Sequence, residues 1–299
     1  MKKTGILYCA IAAFVCAAAP HSFNINTHGD ADTCGDLRVT SDGQLAQSAD
    51  RFDLTRGQVS TLELNGGERG VVRVRGWSQS GYTVEACKVA VAEDSGTAGT
   101  LLRGITVSHS AGRFSYTGPQ GDIGNSNWQV YFIVHAPDNA SLDLQTRNAP
   151  ISISGVNGNI KVRATNGPLS IHGSGGNIDA QTVNGPISFD GEGGDVHLLA
   201  QNGPISVKVA KEVWNGAALE ARTVNGPMSV SLPAAFQSGV RVEASGGAPF
   251  SCHHDACTHA NTNWSGDQRI IQLNGSGDTI RISTENGPLS IGESKGKAL

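Results

Sequence analysis

From Leu142 onward, apolar and polar residues alternate in short runs, each interrupted by Asn-Gly-Pro or a close variant. Ile160, Val162 and Ala164 alternate with Lys161 and Arg163 ahead of one such turn, and Leu169 and Ile171 flank Ser170 after it. A period of two is the mark of a strand with one buried face. The unit, aliphatic-x-aliphatic-x-(Ala/Thr)-x-Asn-Gly-Pro-aliphatic-Ser-aliphatic, occurs seven times, starting at Leu142, Ile160, Ile178, Val196, Leu219, Val240 and Ile280. The first copy has Ala149 in place of Gly, and the copy from Val240 is degenerate. Steps between starts are 18, 18, 18, 23, 21 and 40 residues.

Two short strands and two Gly-rich turns per 18 residues predict one coil of a narrow solenoid. Gly and Asn are expected to supply positive φ at the corners, and Pro to sit at a strand start where a missing N–H costs least. A string of β-hairpins is the competing reading, since Asn-Gly is also a hairpin turn. Equal spacing favours stacked coils. The second position of the block supports them: Asp143, Lys161, Asp179, His197, Glu220 and Arg241 alternate acid with base. Parallel strands in register would place these side chains about 4.8 Å apart, where unlike charges attract. Behind the turn, Ser152, Ser170, Ser188, Ser206, Ser229, Ser251 and Ser290 form a hydroxyl column.

Residues 34–140 are less regular. Runs such as Val71–Arg75, Tyr82–Cys87, Gly104–Ser108 and Trp128–Val134 read as strands between Gly-rich turns. Trp77, Trp128, Tyr131 and Phe132 are expected to fill the core of this region, which would cap the first coil. The interval 253–279 reads as an irregular excursion, and 292–299 as a loose polar tail. The expectation is an all-β protein: a strand-rich N-terminal cap over 34–140, then a parallel β-solenoid (β-helix- or β-roll-like) over 141–291.

Composition adds the compartment. Lys2 and Lys3 precede an apolar stretch, Ile6 to Ala19, that ends in small residues, so 1–19 reads as a secretory signal peptide. It is too short to span a bilayer, and no transmembrane segment is expected in the mature chain. Cys16 raises the possibility of lipid anchoring, but Phe14-Val15 lacks the small residue that precedes a lipidated cysteine. Cys34, Cys87, Cys252 and Cys257 remain after the leader, an even number suited to an oxidising compartment. Three pairings are open; nearness favours Cys252–Cys257 and hence Cys34–Cys87. With 22 bases against 26 acids and no basic stripe, a nucleic-acid partner is not expected.

The densest chemistry lies in Cys252-His253-His254-Asp255-Ala256-Cys257-Thr258-His259. His253, His254 and His259 are candidate zinc or copper ligands, although a disulfide would consume the thiolates. Gly193-Gly194-Asp195 resembles part of a calcium-binding roll, but the neighbouring turns carry Asn or Pro in place of carboxylates. The outward acids Asp179, Asp190, Glu192, Asp195 and Glu220 are scattered, and His172 and His197 fall on different faces. No catalytic or cofactor-binding residues are expected on these grounds.

Gly70-Val-Val-Arg-Val-Arg-Gly-Trp77, Trp128-Gln-Val-Tyr-Phe-Ile-Val-His-Ala-Pro137 and the blocks through Pro288-Leu-Ser-Ile291 occur in a distinctive order. Over most of residues 60–291 the chain thereby resembles the exported bacterial proteins grouped as putative adhesins, a β-strand-repeat domain of unknown function similar to autotransporter-adhesin heads. The resemblance implies a solenoid-like fold and a periplasmic or surface location, and it offers no catalytic residues. The expected role is structural or adhesive at the cell envelope, toward a cell-surface glycan or an envelope protein. A binding module for glycan or metal is the alternative, and a carbohydrate-active enzyme on a β-helix the third reading.

Overall fold

The computed structural model describes residues 20–294 apart from 28–30, 122, 246 and 276. The leader 1–19 and the end of the tail, 295–299, lie outside the described residues. The protein is all-β, built on a twelve-stranded and an eleven-stranded sheet with a small two-stranded one beside them. Each block sends its strand before the turn into the twelve-stranded sheet and its strand after the turn into the eleven-stranded sheet. Successive blocks pair in parallel and in register: Leu142 with Ile160, Ile160 with Ile178, Ile178 with Val196 and Val196 with Leu219. On the other sheet Ile151, Leu169, Ile187, Ile205 and Met228 form the matching column. Strands joined by Asn-Gly-Pro therefore never pair with each other, and the hairpin reading fails. These long parallel ladders form a solenoid-like stack.

The alternation predicted from the sequence sets the core. Ile160, Val162, Leu169 and Ile171 are all buried, while Lys161 and Ser170 between them face outward. Burying an aliphatic side chain of this size contributes about 1.5–3 kcal/mol, and the columns repeat that gain in every coil.

The Asn-Gly-Pro corner works differently from its expected design. None of its Asn or Gly residues has positive φ; among the described non-glycine residues only Ala111 and Asn274 do. The corner glycines are needed for stacking. A Cβ on Gly167 would lie 2.1 Å from the Ala149 carbonyl oxygen, and one on Gly185 2.2 Å from that of Gly167. Gly203, Gly226 and Gly287 repeat the contact. Ala149, which begins the column, is the copy that departs from Gly. The asparagines form a ladder in which each side-chain amide donates to the Oδ1 of the coil before it, from Asn166 to Asn148 at 2.7 Å through Asn286 to Asn225 at 3.0 Å. Left-handed glycines are confined to other turns, such as Gly173 (φ 53) and Gly176 (φ 84).

The last block is out of order. Strand Ile280–Asn286 lies between Asn215–Asn225 and Val240–Ser245, and Leu289–Glu293 lies between Met228–Leu232 and Phe250–His253. The final coil thus fills a slot between two coils that precede it in the chain. Glu220 consequently faces Arg281 instead of the expected Arg241, and Arg241 and Arg281 become direct neighbours. Like charges in that position repel. Asp278 sits 4.0 Å from Arg241 and 3.8 Å from Arg281 and offsets the repulsion. Glu243, hydrogen-bonded to Arg241 at 2.6 Å, holds that guanidinium above its usual pKa range, with Asp278 contributing.

At the N-terminal end the stack begins earlier than the repeat. Leu62–Asn65 and Gly70–Trp77 pair in parallel with Leu142–Thr146 and Ile151–Ser154. Asn127–Pro137 pairs in parallel with Gly70–Trp77, and Tyr82–Ala92 and then Gln44–Leu54 extend the eleven-stranded sheet antiparallel beyond it. Trp128 and Phe132 are buried in this core. Tyr131 packs on a satellite cluster of Ala31, Leu37, Cys87 and Ile133, and Trp77 stacks on His135. A helix, Ser95–Arg103, packs on two of these strands. The sequence does not predict it, because Gly96, Gly99 and two threonines give it weak helix propensity. Its one legible sign is Asp94, which accepts from the Thr97 N–H at 2.9 Å as the N-cap. No helix among the described residues is long and apolar enough to cross a membrane.

Candidate functional site

The outward face of the twelve-stranded sheet carries a groove of about 1000 Å³. Its floor is the fourth block position, which register aligns as Asn65, Gln145, Arg163, Gln181, Leu199 and Arg222. Six adjacent strands contribute, so the floor runs about 24 Å at the ordinary strand spacing. One wall comes from the second position, including Asp179, His197 and Glu220, and the other from the residues before the asparagine ladder, including Arg147, Val183 and Val224.

The chemistry of the groove is balanced. Its lining holds three arginines, Arg147, Arg163 and Arg222, and three carboxylates, Glu68, Asp179 and Glu220, so the formal charges cancel. Each carboxylate also has a cationic or imidazole neighbour: Arg147 reaches Glu68 at 2.7 Å, Arg163 donates to Asp179, and His197 lies 3.4 Å from Glu220. Between these pairs lie the amides of Gln145, Gln181 and Gln201 and a small apolar patch in which Val183 is 38% and Leu199 36% exposed. Apolar side chains left open beside amides suit a ligand with alternating polar and C–H surfaces.

The acids weighed from the sequence are spread along the stack and paired with bases. Asp190 meets Lys208 at 3.0 Å, Glu192 meets Lys211 at 2.9 Å, and Asp195 meets His197 at 3.3 Å. His172 and His197 lie in different sheets. Ser152, Ser170, Ser188, Ser206, Ser229, Ser290 and Ser251 form one outward column on the eleven-stranded sheet, with Ser251 beyond Ser290 as the last coil dictates.

The Cys252–His259 loop lies at the C-terminal end of the stack. Cys252 and Cys257 are disulfide-bonded with Cα atoms 6.2 Å apart, and both pack against the main core together with Ala256. His254 is buried, and both its ring nitrogens are engaged by backbone. Nδ1 accepts from the Ala256 N–H at 3.1 Å, which leaves Nε2 as the donor to the Pro233 carbonyl at 2.8 Å. With both nitrogens committed, His254 pins the loop to the stack and has no lone pair to offer a metal. Among the described residues no three His, Cys, Asp or Glu side chains converge as a metal site. Cys34 and Cys87 form the second disulfide, with Cα atoms 5.4 Å apart.

The groove itself escaped the sequence reading. Its signal was available: the column comparison applied to the second block position, carried to the fourth, lines up the floor residues directly.

No family model matches the chain, and no curated protein matches it. A solved structure described as a "putative cell adhesion protein" from Clostridium sporogenes aligns over 83% of this chain and 100% of its own, with 11% identity and a TM-score of 0.34. An overlap this loose carries no argument about function.

Proposed function

We propose that the protein is an exported, non-enzymatic interaction protein of the cell envelope, which holds a partner polymer against the outward face of its twelve-stranded sheet in the manner of an adhesin. The observation that carries this reading is the groove, whose floor repeats one residue per coil across six strands. A polymer with a short repeat can meet such a floor unit by unit, so weak contacts add along its length. Cancelling charges favour a neutral cell-surface glycan over a polyanion. Amides and paired arginines supply hydrogen bonds to hydroxyls, and Val183 and Leu199 supply apolar contact. The pairing of each groove carboxylate with a cationic or imidazole side chain supports binding over acid–base chemistry. Two disulfides suit an oxidising compartment.

The test is binding of the purified protein to a glycan array and to isolated envelope polysaccharide. Replacing Gln145, Gln181 and Leu199 by Ala together is expected to weaken binding by at least about tenfold, whereas each single replacement changes it by about threefold or less. A triple variant that binds like the parent chain would remove the groove from the account.

A further inference from the structure

At the C-terminal end of the twelve-stranded sheet, the column of small core-facing residues changes character. Register carries it from Thr223 to Thr284 to Ala244, all buried, then to Arg269 and finally Trp264 on the edge strand. Arg269 faces the opposite sheet, with its guanidinium over the Phe250 ring at 5.3 Å. Its Nε is buried without a hydrogen-bond partner. Among the described residues no carboxylate lies within ion-pair distance of it. Beside it Trp264 is 57% exposed, the most open large apolar side chain among the described residues.

A half-buried guanidinium without a carboxylate partner gains from an anion that meets it. An exposed indole one strand away offers a flat apolar platform. Asn261, Thr262 and Asn263 line the same exposed strand with amides and a hydroxyl. An anion, a stacking face and a hydroxyl-bearing edge together describe one ligand chemistry. We infer that this end of the stack is a binding site for an acidic sugar residue, with Arg269 gripping the carboxylate and Trp264 stacking on the ring. The site is separate from the groove and does not depend on it.

The test is titration of the full chain with a galacturonic acid trisaccharide, followed by tryptophan fluorescence and calorimetry, against the neutral galactose trisaccharide. Trp128 and Trp214 are buried, and the half-buried Trp77 is stacked on His135 at the other end of the stack, so Trp264 should dominate the response to a ligand bound here. Saturable binding of the acidic sugar alone is expected. It should weaken at least about tenfold in Arg269→Gln and in Trp264→Ala, and less in Arg269→Lys. The groove triple variant should bind the acidic sugar unchanged. Equal binding of the neutral sugar, or full binding by Arg269→Gln or Trp264→Ala, would each overturn the assignment.

Discussion

Gly185→Ala is expected to destabilise the protein by about 3 kcal/mol or more, although it adds one methyl group at a corner with ordinary φ. The added Cβ would lie 2.2 Å from the Gly167 carbonyl oxygen and 2.9 Å from Thr182 Oγ1. Neither can retreat cheaply. The Gly167 carbonyl is backbone of the adjoining coil, and Thr182 is buried, with its hydroxyl accepting from the Gly185 N–H at 3.1 Å. Relief requires the two coils to separate, which strains the asparagine ladder on one side and the core columns on the other. Two other glycines separate this effect from generic cost. Gly173→Ala, at φ 53 in open space, should lose only the left-handed backbone penalty of about 1–2 kcal/mol. Gly292→Ala, with nothing within 4 Å, should fall within about 0.5 kcal/mol of the parent. Chemical denaturation of the three variants gives the ranking. Equal, small losses would mean that the coils are not packed this closely.

Ending the chain after Asp278 should unfold it from Val240 onward while the coils from Leu142 to Leu232 persist. The deleted segment buries Ile280, Ile282, Leu289 and Ile291 almost completely. At about 1.5–3 kcal/mol each, these four side chains alone match the whole stability of a typical domain. Their loss also strips both neighbours: Asn215–Asn225 and Met228–Leu232 lose a partner strand on one side, and Val240–Ser245 and Phe250–His253 on the other. Stacks whose units touch only neighbours unfold in sections, so the damage should stop where the earlier coils hold one another. Hydrogen exchange read by mass spectrometry locates the boundary. Full protection of 240–273 in the truncated chain would show that the final coil only adds to an edge.

The sequence carried the stack because its constraint is local and repeated. Alternation fixes which side chains are buried, and equal spacing fixes register, so the columns through Leu219 and Met228 were legible residue by residue. Arg241 is where this reasoning stops. Chain order says nothing about which free strand edge a later segment will occupy, and a 40-residue step before Ile280 leaves room to return to an earlier slot. The corner glycines show a second limit. Composition records that Gly is required, but only coil-to-coil distances distinguish positive φ from crowding. Loop 252–259 shows a third: His254 reads as a ligand in sequence, and its two backbone partners emerge only once Pro233 is brought beside it. For the groove, the floor residues were readable by column, but the concavity that makes them a site was not.

The groove exists only if successive blocks stack in parallel and in register, and disulfide trapping tests that most directly. Gln181 and Leu199 are paired neighbours on the floor, as are Arg222 and Ser283 at the inserted coil. Cysteines at either pair should bridge under mild oxidation, since neighbouring strands lie about 4.8 Å apart and a disulfide spans about 4.4–6.8 Å between Cα atoms. Cysteines at Arg163 with Leu199, or at Arg222 with Glu243, stand two strands apart at about 9.6 Å and should stay reduced. That pattern is the predicted result. Bridging of Arg222→Cys with Glu243→Cys in place of Ser283→Cys, or none at Gln181→Cys with Leu199→Cys, would contradict the stack and the binding face built on it.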